Sequence, residues 1–281
     1  MNSSDTLSVR RLGNAGVEIS LGQDSILIDL FRDNSPLEPF VGPVHTELPG
    51  PSAGPALAAL VTHLHSDHAD PGSIADGLVE DGAVLRPRRS GGEGLEVAGL
   101  AVAEAGFAEL GLEQHELDPW DQEQVGPFSI TAVPAVDGFG DPQVSWVVEA
   151  GGTRIFHGGD TIFHGWWWPI RDRCGAIDLA LLPINGPTVS LPHRQPPYPF
   201  PAALDPQQAA SAAQILGAKL AVGIHYDTFQ HDPTYVQVKN PTQCFAEEAG
   251  ALGVGSATVD PGALVDLSAL VATAESPVGA G

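Results

Sequence analysis

Residues Thr62 to His68 read Thr-His-Leu-His-Ser-Asp-His and follow directly on the apolar run Ala56 to Val61. His63, His65, Asp67 and His68 are therefore four candidate ligands within one short stretch. Neutral imidazoles and carboxylates are the donors that first-row divalent metals take from proteins. So many can converge from so little chain only where a strand stops and turns, so the pattern asks for a buried strand whose end opens on a metal site. A polar loop that is simply rich in histidine is the plain alternative, since short motifs also occur without their chemistry. The rest of the chain decides between the two by supplying or withholding further ligands.

Further strands have the right places for them. Ser8 to Ser20, Ser25 to Leu30, Ala56 to Thr62, Phe128 to Pro134, Val144 to Ala150, Thr153 to His157, Leu179 to Leu182 and Leu220 to Ile224 are rich in β-branched and apolar residues and read as strands. Toward the end of the chain, Asp205 can cap a helix with Pro206 at its first position and Gly217 beyond its end. Asn240 and Pro241 open another that Gly253 closes. Strands alternating with helices imply layered α/β packing. Two strands run into short polar turns: Thr153 to His157 into Gly158-Gly159-Asp160-Thr161, and Leu220 to Ile224 into His225-Tyr226.

The order of these motifs, together with the opening Leu12 to Ile19 and Ile26-Leu27-Ile28-Asp29, resembles the metallo-β-lactamase superfamily from about Leu7 to Asp266. The resemblance implies a four-layer αββα sandwich, here one domain spanning residues 1–281, with metals at one edge of two facing sheets. It implies two divalent ions. His63 and His65 would serve the first, Asp67, His68 and His225 the second, and Asp160 would bridge them, with a metal-bound hydroxide as nucleophile. Asp67 and Asp160 are then the catalytic carboxylates, Asp67 orienting the water or passing its proton to the leaving group. Ile224-His225-Tyr226 and the Gly-Asp-Thr turn are most similar to the branch of L-ascorbate-6-phosphate lactonase and N-acylphosphatidylethanolamine phospholipase D.

One position departs from the family pattern. Where a third histidine for the first ion is expected, this sequence has Asp137. A carboxylate there makes the site harder and tilts it from zinc toward manganese or iron. The competing reading is that Asp137-Gly138 is an ordinary turn dipeptide, and Asp141 is the nearest substitute ligand.

Composition narrows the function classes. With 281 residues and 43% hydrophobic content, the chain can bury a large core as one soluble domain. No stretch has the length and apolarity of a membrane helix, and Met-Asn-Ser-Ser-Asp lacks a secretory start, so the expectation is a cytoplasmic protein. Cys174 and Cys244 have no metal or disulfide spacing. The net charge is −23 and the only lysines are Lys219 and Lys239, which disfavours nucleic acid as a partner. The basic run Arg86-Pro-Arg-Arg89 reads as a solvated loop. The expected partner is a small molecule, with neither nucleic acid nor membrane; homo-oligomer formation is left open.

Three segments read as pocket walls: residues 31–55, which carry His45; Ile162 to Ile170, with three consecutive tryptophans; and the proline-rich run Leu191 to Pro201. Candidate substrate contacts are His164, Trp166, Trp167, His193 and Arg194, with core packing the competing reading for the tryptophans. His157 reads as a satisfied core histidine, His115 and His231 as surface residues, and Tyr226 as pointing away from the metals. The leading function is hydrolysis of a lactone, ester or amide. A phosphodiesterase using Arg171, Arg173 or Arg194 and a di-iron or iron oxidoreductase are the alternatives, with a non-catalytic binding protein last.

Overall fold

The computed structural model describes residues 6–89, 98–191, 195–268 and 270. One sheet contains β1 (Leu7–Gly13), β2 (Gly16–Leu21), β3 (Asp24–Ile28), β4 (Ala56–Leu60), β5 (Leu78–Pro87) and β6 (Glu113–Leu117), in that spatial order. The other contains β7 (Gln122–Val125), β8 (Phe128–Pro134), β9 (Val144–Ala150), β10 (Thr153–His157), β11 (Leu179–Pro183), β13 (Leu220–Ile224) and β15 (Gly255–Ala257), in the order 15-13-11-10-9-8-7. A short ribbon pairs β12 (Thr188–Val189) with β14 (Tyr235–Val236). The helices are α1 (Glu38–Val41), α2 (Pro71–Gly77), α3 (Ala98–Glu109), α4 (Trp167–Cys174), α5 (Pro206–Leu216) and α6 (Pro241–Ala251).

Alternation along the central strands explains the four layers. Successive side chains on a strand point to opposite faces, and these strands are apolar on both. Ile26 and Ile28 of β3, with Leu60 of β4, face Leu179 and Leu181 of β11 and Val222 of β13 across the inter-sheet core, which also holds Phe128 and Trp146. Leu27, Ala59 and Val84 turn the other way and are covered by Ile74 of α2 and by Ala103 and Phe107 of α3. On the far side Phe156, Ala180 and Leu182 are covered by α4, α5 and α6. The result is the αββα sandwich that the family resemblance implies.

Local chemistry fixes the flanking helices. Asp205 accepts a hydrogen bond from Gln208 N at 2.9 Å while Gln208 Oε1 accepts from Asp205 N at 3.2 Å, a reciprocal cap, and Gly217 ends α5 in the left-handed region. At α6 the cap differs from the sequence expectation: Asn240 makes no side-chain cap, so Pro241, with its fixed φ, begins the helix.

The basic run at 86–89 also needs correction. Arg86 is on β5 and buried, its guanidinium held by Glu116 at 2.8 Å and Gln114 at 2.9 Å on the neighbouring strand β6. The cross-strand partners make burial of the charge tolerable, and only Arg88 and Arg89 are exposed. Among the described residues, no helix is long and apolar enough to cross a membrane.

Direction matters most for the site. β3 and β4 run parallel, as do β10, β11 and β13, and β1 and β8 share their directions through antiparallel neighbours. The C-terminal ends of these strands therefore gather along one edge of the sandwich, and the loops that follow them carry Asn14, Asp29, His63, Asp137, Asp160, Asn185 and His225.

Candidate metal centre

The edge brings together all seven residues singled out as ligands from the sequence. His63, His65, Asp137 and Asp160 form one group, and Asp67, His68 and His225 a second, each with its donor atoms within 4.8 Å of one another. Asp160 looks toward both. Its Oδ1 is 3.6 Å from His63 Nε2 and its Oδ2 is 3.9 Å from His68 Nε2.

Hydrogen bonds behind the imidazoles set their tautomers. Asp29, fully buried, accepts from Thr62 N and Thr62 Oγ1 and binds His68 Nδ1, each at 2.8 Å. Because the Thr62 hydroxyl donates to Asp29, it can only accept from His63 Nδ1, 3.1 Å away. His63 Nε2 is then a bare lone pair, buried and without a hydrogen-bond partner. His225 Nδ1 lies 3.2 Å from Asn185 Oδ1, an acceptor, so its Nε2 is also a lone pair. His68 Nε2 and His225 Nε2 face each other at 3.2 Å, with Asp67 Oδ2 at 3.5 and 3.4 Å. When His68 is neutral its Nε2 is a lone pair too, and two lone pairs beside a carboxylate oxygen repel unless a proton or a metal ion sits among them, so the donor set fits a divalent metal.

The charge balance agrees. Burial, reinforced by the surrounding histidines, keeps His63 well below the ordinary imidazole pKa. Burial pushes the same way at His65 and His68, but carboxylates outweigh it: Asp141 and its neighbours raise His65 to about 9, and Asp67 and Asp29 raise His68 to about 10. Asp67 is held low because the histidine field exceeds the cost of burial, whereas burial raises Asp160. Cationic imidazoles thus occupy positions of positive charge that a metal would otherwise fill.

Backbone strain is concentrated at the same edge. Asn14, Asp29 and His225 adopt positive φ of 44°, 49° and 61°, conformations that persist where the surroundings over-determine them. His225 is held by its N–H bond to Asn14 O at 2.9 Å, and Asp29 by its bond to Leu60 O at 2.9 Å. Gly159 allows the turn before Asp160 to close. At φ +63° a Cβ would lie 2.7 Å from Thr62 Oγ1 and 2.9 Å from Gln143 Nε2. Gln143 uses that approach to donate to Asp160 Oδ1 at 3.1 Å.

Asp137 closes a turn and also stands among the first group of candidate ligands, so the two readings of it are geometrically compatible. Its Oδ2 accepts from Phe139 N at 2.7 Å and Asp141 N at 3.0 Å, closing the turn, while the same carboxylate belongs to the first ligand group. Asp141 instead binds His65 Nε2 at 2.8 Å. His157 is fully buried, its Nε2 on Ala15 O at 2.8 Å. Tyr226 points away from the centre: its ring lies under the Arg11 guanidinium at 4.1 Å and its hydroxyl donates to Val259 O.

The expected substrate walls fare differently. Trp167 is fully buried against Phe156, Phe163 and Ile170 beneath the second sheet. It has no surface to offer a substrate, which corrects the expectation drawn from the triple tryptophan. Trp166 is 45% exposed. His164 stacks on Trp167 at 4.2 Å, accepts from Trp166 N, and is driven by burial down to about 4. Among the described residues, none of His164, Trp166 and Trp167 bonds to a ligand of the centre. His193 and Arg194 lie outside the described residues.

Sequence reasoning missed the groups behind the ligands. Asn14 donates to Asp67 O and Oδ2 at 3.1 and 3.3 Å, and Asp29, Thr62, Gln143 and Asn185 act as described above. The available signal was position: Asp29 and Asn185 follow apolar strands that end at the same edge.

Comparison with known proteins gives consistent relatives. The profile of the β-lactamase superfamily domain matches residues 25–226. A UPF0173 metal-dependent hydrolase of Thermus thermophilus is 26% identical over 270 residues, covering 93% of this chain and 99% of the relative. Among solved structures, the metallo-β-lactamase fold protein YhfI from Bacillus subtilis superposes with a TM-score of 0.63 at 15% identity, covering 93% of this chain and all of that one. CmlA, a diiron β-hydroxylase from Streptomyces venezuelae, superposes with a TM-score of 0.68 at 14% identity, covering 93% of this chain and 54% of that one.

Proposed function

Because this chain belongs to the β-lactamase superfamily domain family, which covers residues 25–226, we propose that it is a metal-dependent hydrolase of a lactone, ester or amide bond in a small molecule. The observation that carries this reading is the pair of Nε2 atoms of His68 and His225, facing each other at 3.2 Å beside Asp67, with Nδ1 of each turned to an acceptor. In this reading His63, His65 and Asp137 hold one ion, Asp67, His68 and His225 hold a second, and Asp160 is shared. A divalent ion bound there supplies Lewis acidity and lowers the pKa of a water toward neutrality.

The protein's own groups do the rest. Asp29, Thr62 and Asn185 keep three imidazoles in the tautomer that presents Nε2. Asn14 orients the Asp67 carboxylate, which stays ionised and can accept or pass on a proton beside the reacting bond. Gln143 fixes Asp160 between the two groups. Three carboxylates among seven ligands favour manganese or iron over an all-nitrogen zinc set.

Charge supports a substrate that is not a polyanion. The chain carries −23, and among the described residues no Arg or Lys side chain bonds to any ligand of the centre. Like-sign fields slow the approach of phosphate-rich molecules and of nucleic acids, which favours the lactonase side of the resemblance over the phosphodiesterase side. The carboxylate content is also the observation that favours the second reading, an iron oxidoreductase. Metal-replete protein should hydrolyse neutral lactones, esters or amides in preference to phosphodiesters, with the Asp160→Asn variant as blank. Preference for a phosphodiester would overturn the substrate class, and oxygen-dependent turnover with stoichiometric iron would promote the second reading.

A further inference from the structure

Two hydrogen bonds from His225, and within electrostatic reach of Asp67 and Asp160, lies a hydroxyl that the ligand assignment leaves with a spare proton. Tyr235 lies on β14, its ring edge-on to Phe229 at 5.8 Å, and Phe229 in turn packs on Phe31 at 5.9 Å. The backbone is pinned by reciprocal bonds with His231, each 2.8 Å, and the residue is only 7% exposed. Little can move except the hydroxyl proton.

Direction along the hydrogen-bond chain then decides where that proton points. If His225 presents Nε2 to a metal, its Nδ1 carries the hydrogen and Asn185 Oδ1 must accept it at 3.2 Å. The Asn185 amide is thereby oriented, and its Nδ2 donates to Tyr235 Oη at 2.8 Å. The phenol oxygen is thus an acceptor toward Asn185, and its own O–H is left to donate elsewhere. A buried donor without an acceptor has given up its hydrogen bond to water, and an oxygen brought in beside it restores that bond. In the metal-free chain burial, with the nearby Asp67 and Asp160 charges, raises the phenol well above its usual pKa, so the group is a neutral hydroxyl there.

We propose that the Tyr235 hydroxyl is a catalytic hydrogen-bond donor that receives the oxygen of the substrate's scissile carbonyl, and that Asn185 is the positioning residue that aims it. The assignment rests on the hydrolase reading above. Negative charge grows on that oxygen as the carbonyl is attacked, so a donor fixed in a dry wall acts more strongly on the transition state than on the bound substrate.

Two variants test it on the metal-replete full chain, with p-nitrophenyl butyrate as substrate probe, benzeneboronic acid as a tetrahedral mimic followed by calorimetry, and elemental analysis for metal. Tyr235→Phe should keep the wild-type metal content and lose about a hundredfold in kcat, the usual effect of removing one oxyanion donor, with KM little changed and boronate binding weakened. Asn185→Asp still accepts from His225 Nδ1, but its second oxygen captures the tyrosine proton. It should keep metal and lose kcat to a similar degree, and the double variant should be no worse than Tyr235→Phe alone. An unchanged kcat in Tyr235→Phe beside an active wild type would overturn the proposal alone, as would loss of metal in that variant, which would make the hydroxyl a support of the centre. A metal-replete wild type that neither hydrolyses the ester nor binds the boronate would overturn the hydrolase reading and the proposal with it.

Discussion

Asp29→Asn is the change that most sharply tests the arrangement behind the ligands. The carboxylate accepts three hydrogen bonds of 2.8 Å, from Thr62 N, Thr62 Oγ1 and His68 Nδ1, and is fully buried. An asparagine can preserve the bond to Thr62 N through its oxygen, but its amide then meets two donors. His68 relieves the conflict by moving its hydrogen to Nε2, and a protonated Nε2 cannot ligate. Loss of the Asp29 charge also lowers the pKa of His68, which eases competition from protons, but that gain is small beside a ligand facing the wrong way. Partners of metal-bound histidines are worth about 10–100-fold in affinity, or roughly 1.4–2.8 kcal/mol. Chelator competition should therefore show one ion per chain bound 10–100-fold more weakly, as estimated for such partners, with the other ion less affected. Thermal unfolding should show a folded protein destabilised by about 1–3 kcal/mol, the cost of compromised buried hydrogen bonds. Equal affinity for both ions in wild type and variant would refute the tautomer argument.

Three further outcomes follow from the same geometry. His65 and His68 titrate at about 9 and about 10 in the metal-free protein, above the ordinary value of about 6.5. Their stabilising contribution is full below about 6.5 and is lost as pH rises through 9 to 10, while metal affinity rises over the same window because ligation expels those protons. Calorimetry in buffers of differing ionisation enthalpy should register net proton release on metal binding at pH 7; no release would contradict the protonation states. Asp137→His should keep both ions but shift preference toward zinc, and Asp137→Ala should lower the affinity of one ion and loosen the turn to Asp141; unchanged metal preference and affinities in both would reduce Asp137 to a turn residue. Trp167→Ala should destabilise the fold by about 3–5 kcal/mol and exposed Trp166→Ala by no more than about 0.5 kcal/mol, so equal melting temperatures would contradict the placement of Trp167 in the core.

Apolar runs made the central strands legible because they are buried on both faces, and it was the family resemblance that turned layered α/β packing into an αββα sandwich. The candidate ligands left a local trace: His63, His65, Asp67 and His68 fall within six residues, His225 directly follows β13, and Asp160 lies three residues past the end of β10. Groups that act through space left weaker traces. Asp29 and His68 are 39 positions apart, and their bond exists only because parallel β3 and β4 end together. Asn185 carries no motif, and its role depends on β11 lying beside β13. The three tryptophans could not be sorted by composition. Helical spacing separates them in the structure, since Trp167 and Ile170 share the buried face of α4 while Trp166 and Trp168 point to solvent.

The central claim is a pair of ions shared by Asp160, and metal stoichiometry in wild type and Asp160→Asn tests it most directly. After loading and exhaustive dialysis, elemental analysis should find about two divalent ions per wild-type chain. The folded Asp160→Asn variant should lose metal from both groups together, because each carboxylate oxygen faces one of them. A variant that retains the full wild-type complement would contradict the shared-carboxylate account.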